Sequence, residues 1–227
     1  MAIYAIGDLH LSFSAQKPMD VFPGWTDYTA RLQRNWKNLV KPEDTVVVAG
    51  DVSWAMTLAD ALEDFRFIDA LPGRKLLMKG NHDYWWSTRA KMDRFLQKNG
   101  LATLSILHNN SVRCEEVWLC GSRGWFFEEG VGGESPLVTA REAGRIRRSL
   151  EDAGEGEKLL FLHYPPAYGT QVQEEFFDEM ERFGVRECYY GHLHGALPTG
   201  ALRREYRDVS LRLISADHLD FAPLRVR

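Results

Sequence analysis

Cysteine is too scarce and too irregularly spaced to staple this chain: Cys114, Cys120 and Cys188 are an odd number with no Cys-x-x-Cys pair. A disulfide framework and a cysteine-built structural zinc site are therefore not expected. Cys114 and Cys120 flank the apolar stretch around Val117 to Leu119, where buried thiols are expected rather than a bridge. Long apolar runs are missing too, so neither a signal segment nor a membrane span is expected, and a reducing cytoplasm is the natural setting. Charge of neither sign dominates, because 28 Lys and Arg against 32 Asp and Glu leave a formal net charge of −4. With the basic residues scattered, this balance argues against a general nucleic-acid binder, which must neutralise many phosphates. No internal repeat, low-complexity tract or Pro/Ser-rich linker divides residues 1–227, so one domain is expected, of a size that buries roughly 70% of its unfolded surface.

What the sequence does have is alternation. Short apolar or β-branched runs at 3–6, 45–49, 75–78, 116–120, 158–162 and 187–190 predict buried strands,. Helical periodicity covers 25–39, 57–71, 88–98, 136–152 and 174–183,. Thr57 with Asp60 resembles a capping box, and Gly100 and Gly184 stand where helices should stop,. The class is α/β with helices outside the sheet. Residues 206–214 and 221–226 look like paired strands, so mixed sheets are expected rather than a purely parallel one.

Several predicted strands end in residues that bind metals. The first runs into Gly7-Asp8-Leu9-His10, and on an extended chain positions two apart face the same way,. The second runs into Gly50-Asp51, the third into Gly80-Asn81-His82-Asp83, the fourth into His163, and the fifth into Gly191-His192-Leu193-His194. One such ending means little, but five of the seven histidines fall immediately after a predicted strand, where α/β sheets place their ligands. His108 and His218 lack such surroundings and are read as ordinary histidines. Imidazoles, carboxylates and one amide oxygen suit Mn, Fe, Zn or Co. Asp8, His10, Asp51, Asn81, His163, His192 and His194 are too many for one ion, but they suffice for two about 3.5–4 Å apart that share a carboxylate.

These motifs together resemble the calcineurin-like metallophosphoesterase superfamily, whose pattern is D-x-H, G-D, G-N-H-[DE], H and G-H-x-H. Each element is present here in that order, between positions 7 and 195. The resemblance implies a four-layer α/β/β/α sandwich with two mixed sheets and a binuclear centre. In that centre Asp8, His10 and His194 hold one ion, Asn81, His163 and His192 the other, and Asp51 bridges. It implies that His82 binds no metal and instead protonates the leaving oxygen or stabilises its charge. The implied activity is phosphoester hydrolysis of a phosphorylated small molecule or nucleotide by two-metal-activated water, with phosphodiesters slightly preferred. Phosphomonoesterase or protein-phosphatase activity is the alternative, as is a non-catalytic scaffold that binds a protein partner. Two departures weigh against a protein phosphatase: Val-Ser-Trp follows Gly50-Asp51 where that branch has x-V-D-R-G, and Asp83 stands in place of Glu. No oligomeric state is implied.

Around the motifs other residues keep two readings. Trp54, Tyr84, Trp85, Trp86, Trp125, Phe126 and Phe127 either offer a stacking surface for a base or pack beneath loops, with Trp54 and Trp125 the better candidates to face substrate. Arg123 either contacts phosphate or is solvated. Asp83 either orients His82 or is a solvated turn carboxylate. Residues 12–24 and 121–133 are candidate rims or lids, and Arg141, Arg145, Arg147 and Arg148 are expected to form a solvated helix face.

Overall fold

The predicted strands form where β-branched and aliphatic runs are bounded by turn residues, and the helices where apolar positions recur at helical spacing. The computed structural model describes residues 1–126 and 136–227. In chain order the elements are β1 (Ile3–Ile6), a 3-10 turn (Met19–Val21), α1 (Tyr28–Leu39), β2 (Thr45–Val48), α2 (Leu62–Asp69), β3 (Arg74–Leu77), α3 (Arg89–Lys98) and β4 (Leu104–Ile106). There follow β5 (Asn110–Cys114), β6 (Val117–Ser122), α4 (Pro136–Asp152), β7 (Glu157–Leu162), β8 (Ala167–Tyr168), β9 (Gln171–Val172) and α5 (Glu174–Arg182). The chain then forms β10 (Glu187–Tyr190), β11 (Glu205–Tyr206), β12 (Val209–Leu213) and β13 (Leu224–Arg225).

Two compact units result, one from residues 1–106 with 214–227 and the other from residues 107–213. The first holds a five-stranded sheet in the order β13-β1-β2-β3-β4, parallel except where β13 runs against β1. Tyr4, Ile6, Val46, Val48 and Leu77 pack with Leu32 and Trp36 of α1, Phe65 and Ile68 of α2, and Met92 and Leu96 of α3. The second unit holds a six-stranded sheet in the order β11-β12-β10-β7-β6-β5, parallel in its centre and antiparallel at both edges. Its strands meet Ile146 and Leu150 of α4 and Phe176, Phe177 and Met180 of α5. The α/β class with two mixed sheets is therefore realised.

Three details differ from expectation. Thr57 and Asp60 do bond, Oγ1 donating to the carboxylate at 2.7 Å and accepting the Asp60 N–H at 3.2 Å. They close a turn ahead of α2, which begins at Leu62. The last strands do not form one pairing: β11 and β12 are a hairpin, whereas β13 returns to β1. Arg147 is not simply solvated, because its guanidinium grips the Glu179 carboxylate and so ties α4 to α5.

One buried cation holds the chain between α2 and β3. Lys75 Nζ donates to the carbonyls of Leu71, of Gly73 at 2.9 Å and of Asp69 at 3.2 Å, satisfying acceptors that a helix end leaves over. Burial pushes its amine down to about 8, with Asp69 pulling it back up.

All three cysteines are buried, and none is in a disulfide. None is expected to react with a thiol-titrating reagent in the native protein, and all three should react once denaturant is added; rapid native labelling would contradict this burial. The same burial makes the fold sensitive to base. The Cys120 thiol is pushed up to about 12 from an ordinary 9.0, so the unfolded chain loses that proton first, and the stabilisation present below pH 9.0 is lost as pH rises toward 12. Cys120→Ala should flatten the decline of the urea midpoint over that interval relative to the parent protein.

Candidate metal centre

In the first unit, register brings three strand ends level. Ile6 pairs with Val48, and Val48 with Leu77, so the segments after β1, β2 and β3 leave the sheet along one edge. Asp8 N–H then donates to the Gly50 carbonyl and His10 N–H to the Asp51 carbonyl, both at 2.9 Å. Asp8, His10 and Asp51 are 0, 3 and 1% exposed. An Asp8 carboxylate oxygen lies within 4.8 Å of a His10 ring nitrogen and of an Asp51 carboxylate oxygen, and His10 Nε2 is 3.7 Å from Asp51 Oδ2.

The convergence does not arise from strand alternation. Asp8, His10 and Asp51 have φ of 59°, 45° and 48°, so these residues turn through the left-handed region rather than continuing the pleat. Each such residue costs of order 1–3 kcal/mol, and this strain clusters at functional sites. Close approach of backbones completes the arrangement. A Cβ on Gly80 would lie 2.0 Å from Asp51 Oδ1 and 2.3 Å from Asp51 N, so only glycine fits there without displacing the carboxylate. His82 N–H donates to the same Oδ1 at 2.8 Å.

Asp83 is 2% exposed, which rules out the solvated reading. Its Oδ1 accepts N–H groups from Val52 at 2.8 Å, Ser53 at 3.3 Å and the Trp85 indole at 2.9 Å, and its Oδ2 accepts that of Gly80 at 2.7 Å. The carboxylate therefore clasps the loop after β3 to the loop after β2, positioning the loop that carries His82. Asn81 and His82 are half-buried in that turn, and His82 Nδ1 lies 3.3 Å from Tyr84 Oη.

The aromatic residues divide. Trp85 is core, edge-on to Phe65 at 4.8 Å, and Trp86 packs beside it at 5.1 Å. Trp54 instead faces the candidate ligands, its ring stacked on His10 at 4.9 Å and tilted against His82 at 4.5 Å.

Sequence reasoning missed Asp64, a buried carboxylate on α2 that accepts the Ser53 hydroxyl and, at 2.9 Å, the Phe13 N–H. Burial pushes its carboxyl up, with the Ser53 and Phe13 bonds pulling it down. It also missed Tyr28, whose hydroxyl donates to the His10 carbonyl at 3.1 Å. Within an amphipathic helix neither residue type signals such a role.

In the second unit Ser122 pairs with Leu162, and Leu162 with Tyr190, which levels a second set of strand ends. His163, fully buried, donates its N–H to the Arg123 carbonyl at 3.1 Å and accepts Gly191 N–H at 3.0 Å. Its ring lies 5.2 Å from that of His192 at 75°. His192 has φ 73°, the fourth candidate ligand with a left-handed backbone, and its ring meets Tyr164 at 4.4 Å. His194 is half-buried two residues on.

Arg123 is not solvated, since its side chain is 22% exposed and lies 3.7 Å from buried Glu142. Burial pushes the Glu142 carboxyl up, and Arg145 and Arg123 pull it back. Trp125 is half-buried against the core of this unit. Phe127 and residues 127–133 of the second candidate rim lie outside the described residues.

The donor set fits divalent ions. Buried carboxylates carry a desolvation cost of several kcal/mol that a cation offsets, and the mixture of oxygen and imidazole nitrogen suits first-row metals. Asp8, His10 and Asp51 present such a set from a backbone held in unusual conformations. A family model for the calcineurin-like phosphoesterases matches residues 1–196. The chain belongs to this family.

Membership makes metal-dependent phosphoester hydrolysis its general chemistry. No curated protein matches the chain at a significant level. Among solved structures, a protein of unknown function from Aquifex aeolicus is 19% identical with a TM-score of 0.55, covering 99% of this chain and 95% of that one. A phosphopantetheinyl hydrolase from Mycobacterium tuberculosis is 17% identical with a TM-score of 0.55, over 94% and 88% of the two chains. A Thermus thermophilus protein is 13% identical with a TM-score of 0.54, over 84% and 80%. At these identities the likeness is one of fold alone. Among the described residues no helix is long and apolar enough to cross a membrane.

Proposed function

We propose that the chain, acting as one domain over residues 1–227, is a binuclear hydrolase of phosphorylated small molecules or nucleotides in the cytoplasm, with phosphodiesters preferred to monoesters. Asp8, His10 and His194 would hold one ion, Asn81, His163 and His192 the other, and Asp51 would lie between them; Mn, Fe and Zn all suit this donor set. When bound, such ions activate water for in-line attack on phosphorus and offset charge on the non-bridging oxygens. The observation that carries the reading is the buried set of Asp8, His10 and Asp51, with His82 attached to Asp51 through its own N–H.

The rest falls to the chain's own groups. The His82 imidazole, beside Tyr84 Oη, delivers a proton to the leaving oxygen. Asp83 and Asp64 hold the loops that present it and Trp54. A diester carries one fewer negative charge than a monoester, so it needs less cationic contact beyond the metals. The x-V-D-R-G arginine of protein phosphatases has no counterpart after Asp51, where Val52, Ser53 and Trp54 stand.

Metal analysis of protein purified without chelator should give about two ions per chain, and a chromogenic phosphodiester should be turned over faster than the matching monoester. Both activities should vanish on chelation and return with Mn, Fe or Zn. Protein that lacks stoichiometric metal and turns over neither ester would be a scaffold instead. A wider panel should cover nucleotides and a phosphopantetheinyl conjugate.

A further inference from the structure

The loop between β1 and α1 borders an open cavity of about 440 Å³ lined by Ser12, Phe13, Gln16, Lys17, Asp20 and Tyr28 among others. That is the size of a small-molecule site, and it lies within the first unit. Two charged side chains line it. Asp20 is engaged, its Oδ1 accepting the Asp27 N–H at 3.0 Å. The Lys17 ammonium makes no ion pair with a carboxylate among the described residues and rests over the Trp54 ring, 4.3 Å from its centroid. The His82 ring lies 4.5 Å from that centroid and the His10 ring 4.9 Å. The Lys17 ammonium thus touches the same indole as the groups assigned to the scissile phosphoryl, and it also lines the cavity.

We infer that this cavity with Lys17 is a subsite for a second phosphate of the substrate, one that is not cleaved. The inference rests on the phosphoesterase reading above and names the substrate class: phosphoesters that carry a further phosphate on the organic group. Several properties favour it. An ammonium on a four-carbon stem is a point charge that reaches phosphate oxygens without a fixed approach angle. A cation–π contact at an exposed site is weak, so Lys17 leaves Trp54 readily when an anion enters. The face of the indole it vacates is then open to the organic group between the two phosphates. Apolar wall is supplied by Phe13, Ala15 and Pro18, and neutral donors by Ser12, Gln16 and Thr29.

The test compares thymidine 5′-(p-nitrophenyl phosphate) with the same ester phosphorylated at the 3′ position, and measures binding of thymidine 3′,5′-bisphosphate by calorimetry. The parent protein should favour the 3′-phosphorylated ester in kcat/KM. Lys17→Met should reduce that preference about tenfold, as expected for one charge-assisted hydrogen bond, chiefly through KM, and Lys17→Arg should restore most of it. Lys17→Met should weaken bisphosphate binding by a similar factor while the thermal melting curve stays in place. Equal losses on both esters, no loss on either, or bisphosphate binding insensitive to Lys17→Met would overturn the subsite. If neither ester is hydrolysed, the phosphoesterase reading fails on its own, and the calorimetric comparison still decides whether Lys17 holds the second phosphate.

Discussion

Gly80→Ala, which deletes no functional atom, is expected to lower kcat/KM about 100-fold or more, the penalty for displacing a reacting group by about an ångström. The reason is geometric. A methyl carbon at position 80 would lie 2.0 Å from Asp51 Oδ1, 2.3 Å from Asp51 N and 2.7 Å from Asp51 Cγ, distances no Cβ tolerates. The carboxylate must give way, and with it go the bond from His82 N–H and the 3.7 Å approach to His10. Because the clash is confined to the loops beyond β2 and β3, the helical circular dichroism signal should stay that of the parent. Metal content should fall alongside activity, and Asp51→Asn should give a comparable loss. An alanine variant with parental metal content and turnover would show that the Asp51 carboxylate has no role where it stands.

His82→Ala should behave differently, losing turnover without losing metal. Removing a positioned acid costs about 10²–10⁴ in rate. The substitution keeps the backbone N–H that donates to Asp51 Oδ1, and it leaves Asp83 bonded to Gly80, Val52 and Ser53. Bound metal should therefore remain. The loss should be larger for an alkyl leaving group than for p-nitrophenolate, which departs without a proton. A variant that retains parental metal content and full turnover, or loses equally on good and poor leaving groups, would take the proton-transfer role away from His82.

Strands β1, β2, β3, β7 and β10 were legible because each is a short aliphatic or aromatic run that stops at a glycine or a metal-binding residue. Strand β4 has only Leu104–Ile106 and β5 mixes Asn110, Ser111 and Arg113 on a sheet edge, so neither carries the apolar signal of a central strand. The return of β13 to β1 was hidden for a different reason. Pairing across more than 200 residues is a property of the assembled sheet, and Leu224 and Arg225 resemble any strand end. In the candidate centre, ligand types and their level placement could be read, but the backbone that converges Asp8, His10 and Asp51 could not. Left-handed conformations are advertised by glycine and only weakly by aspartate. Asp83 shows the same limit: beside His82 in sequence it suggests a partner for the imidazole, whereas its carboxylate accepts N–H groups from Gly80 and Trp85 in its own loop and from Val52 and Ser53 in the next.

The way β13 closes the first sheet has a bearing on how the protein is made. The Ile3–Ile6 strand is wholly buried, yet one of its two neighbours is not synthesised until residues 224 and 225, and Gly7 waits for Ile214 and Ala216 to bond its own amide and carbonyl. During synthesis β1 keeps a bare edge until the residues of β13 have been made, a state that invites pairing with other nascent chains,. The segment leading to Asp8 is held in place only once residues 214–225 are available to pair with it.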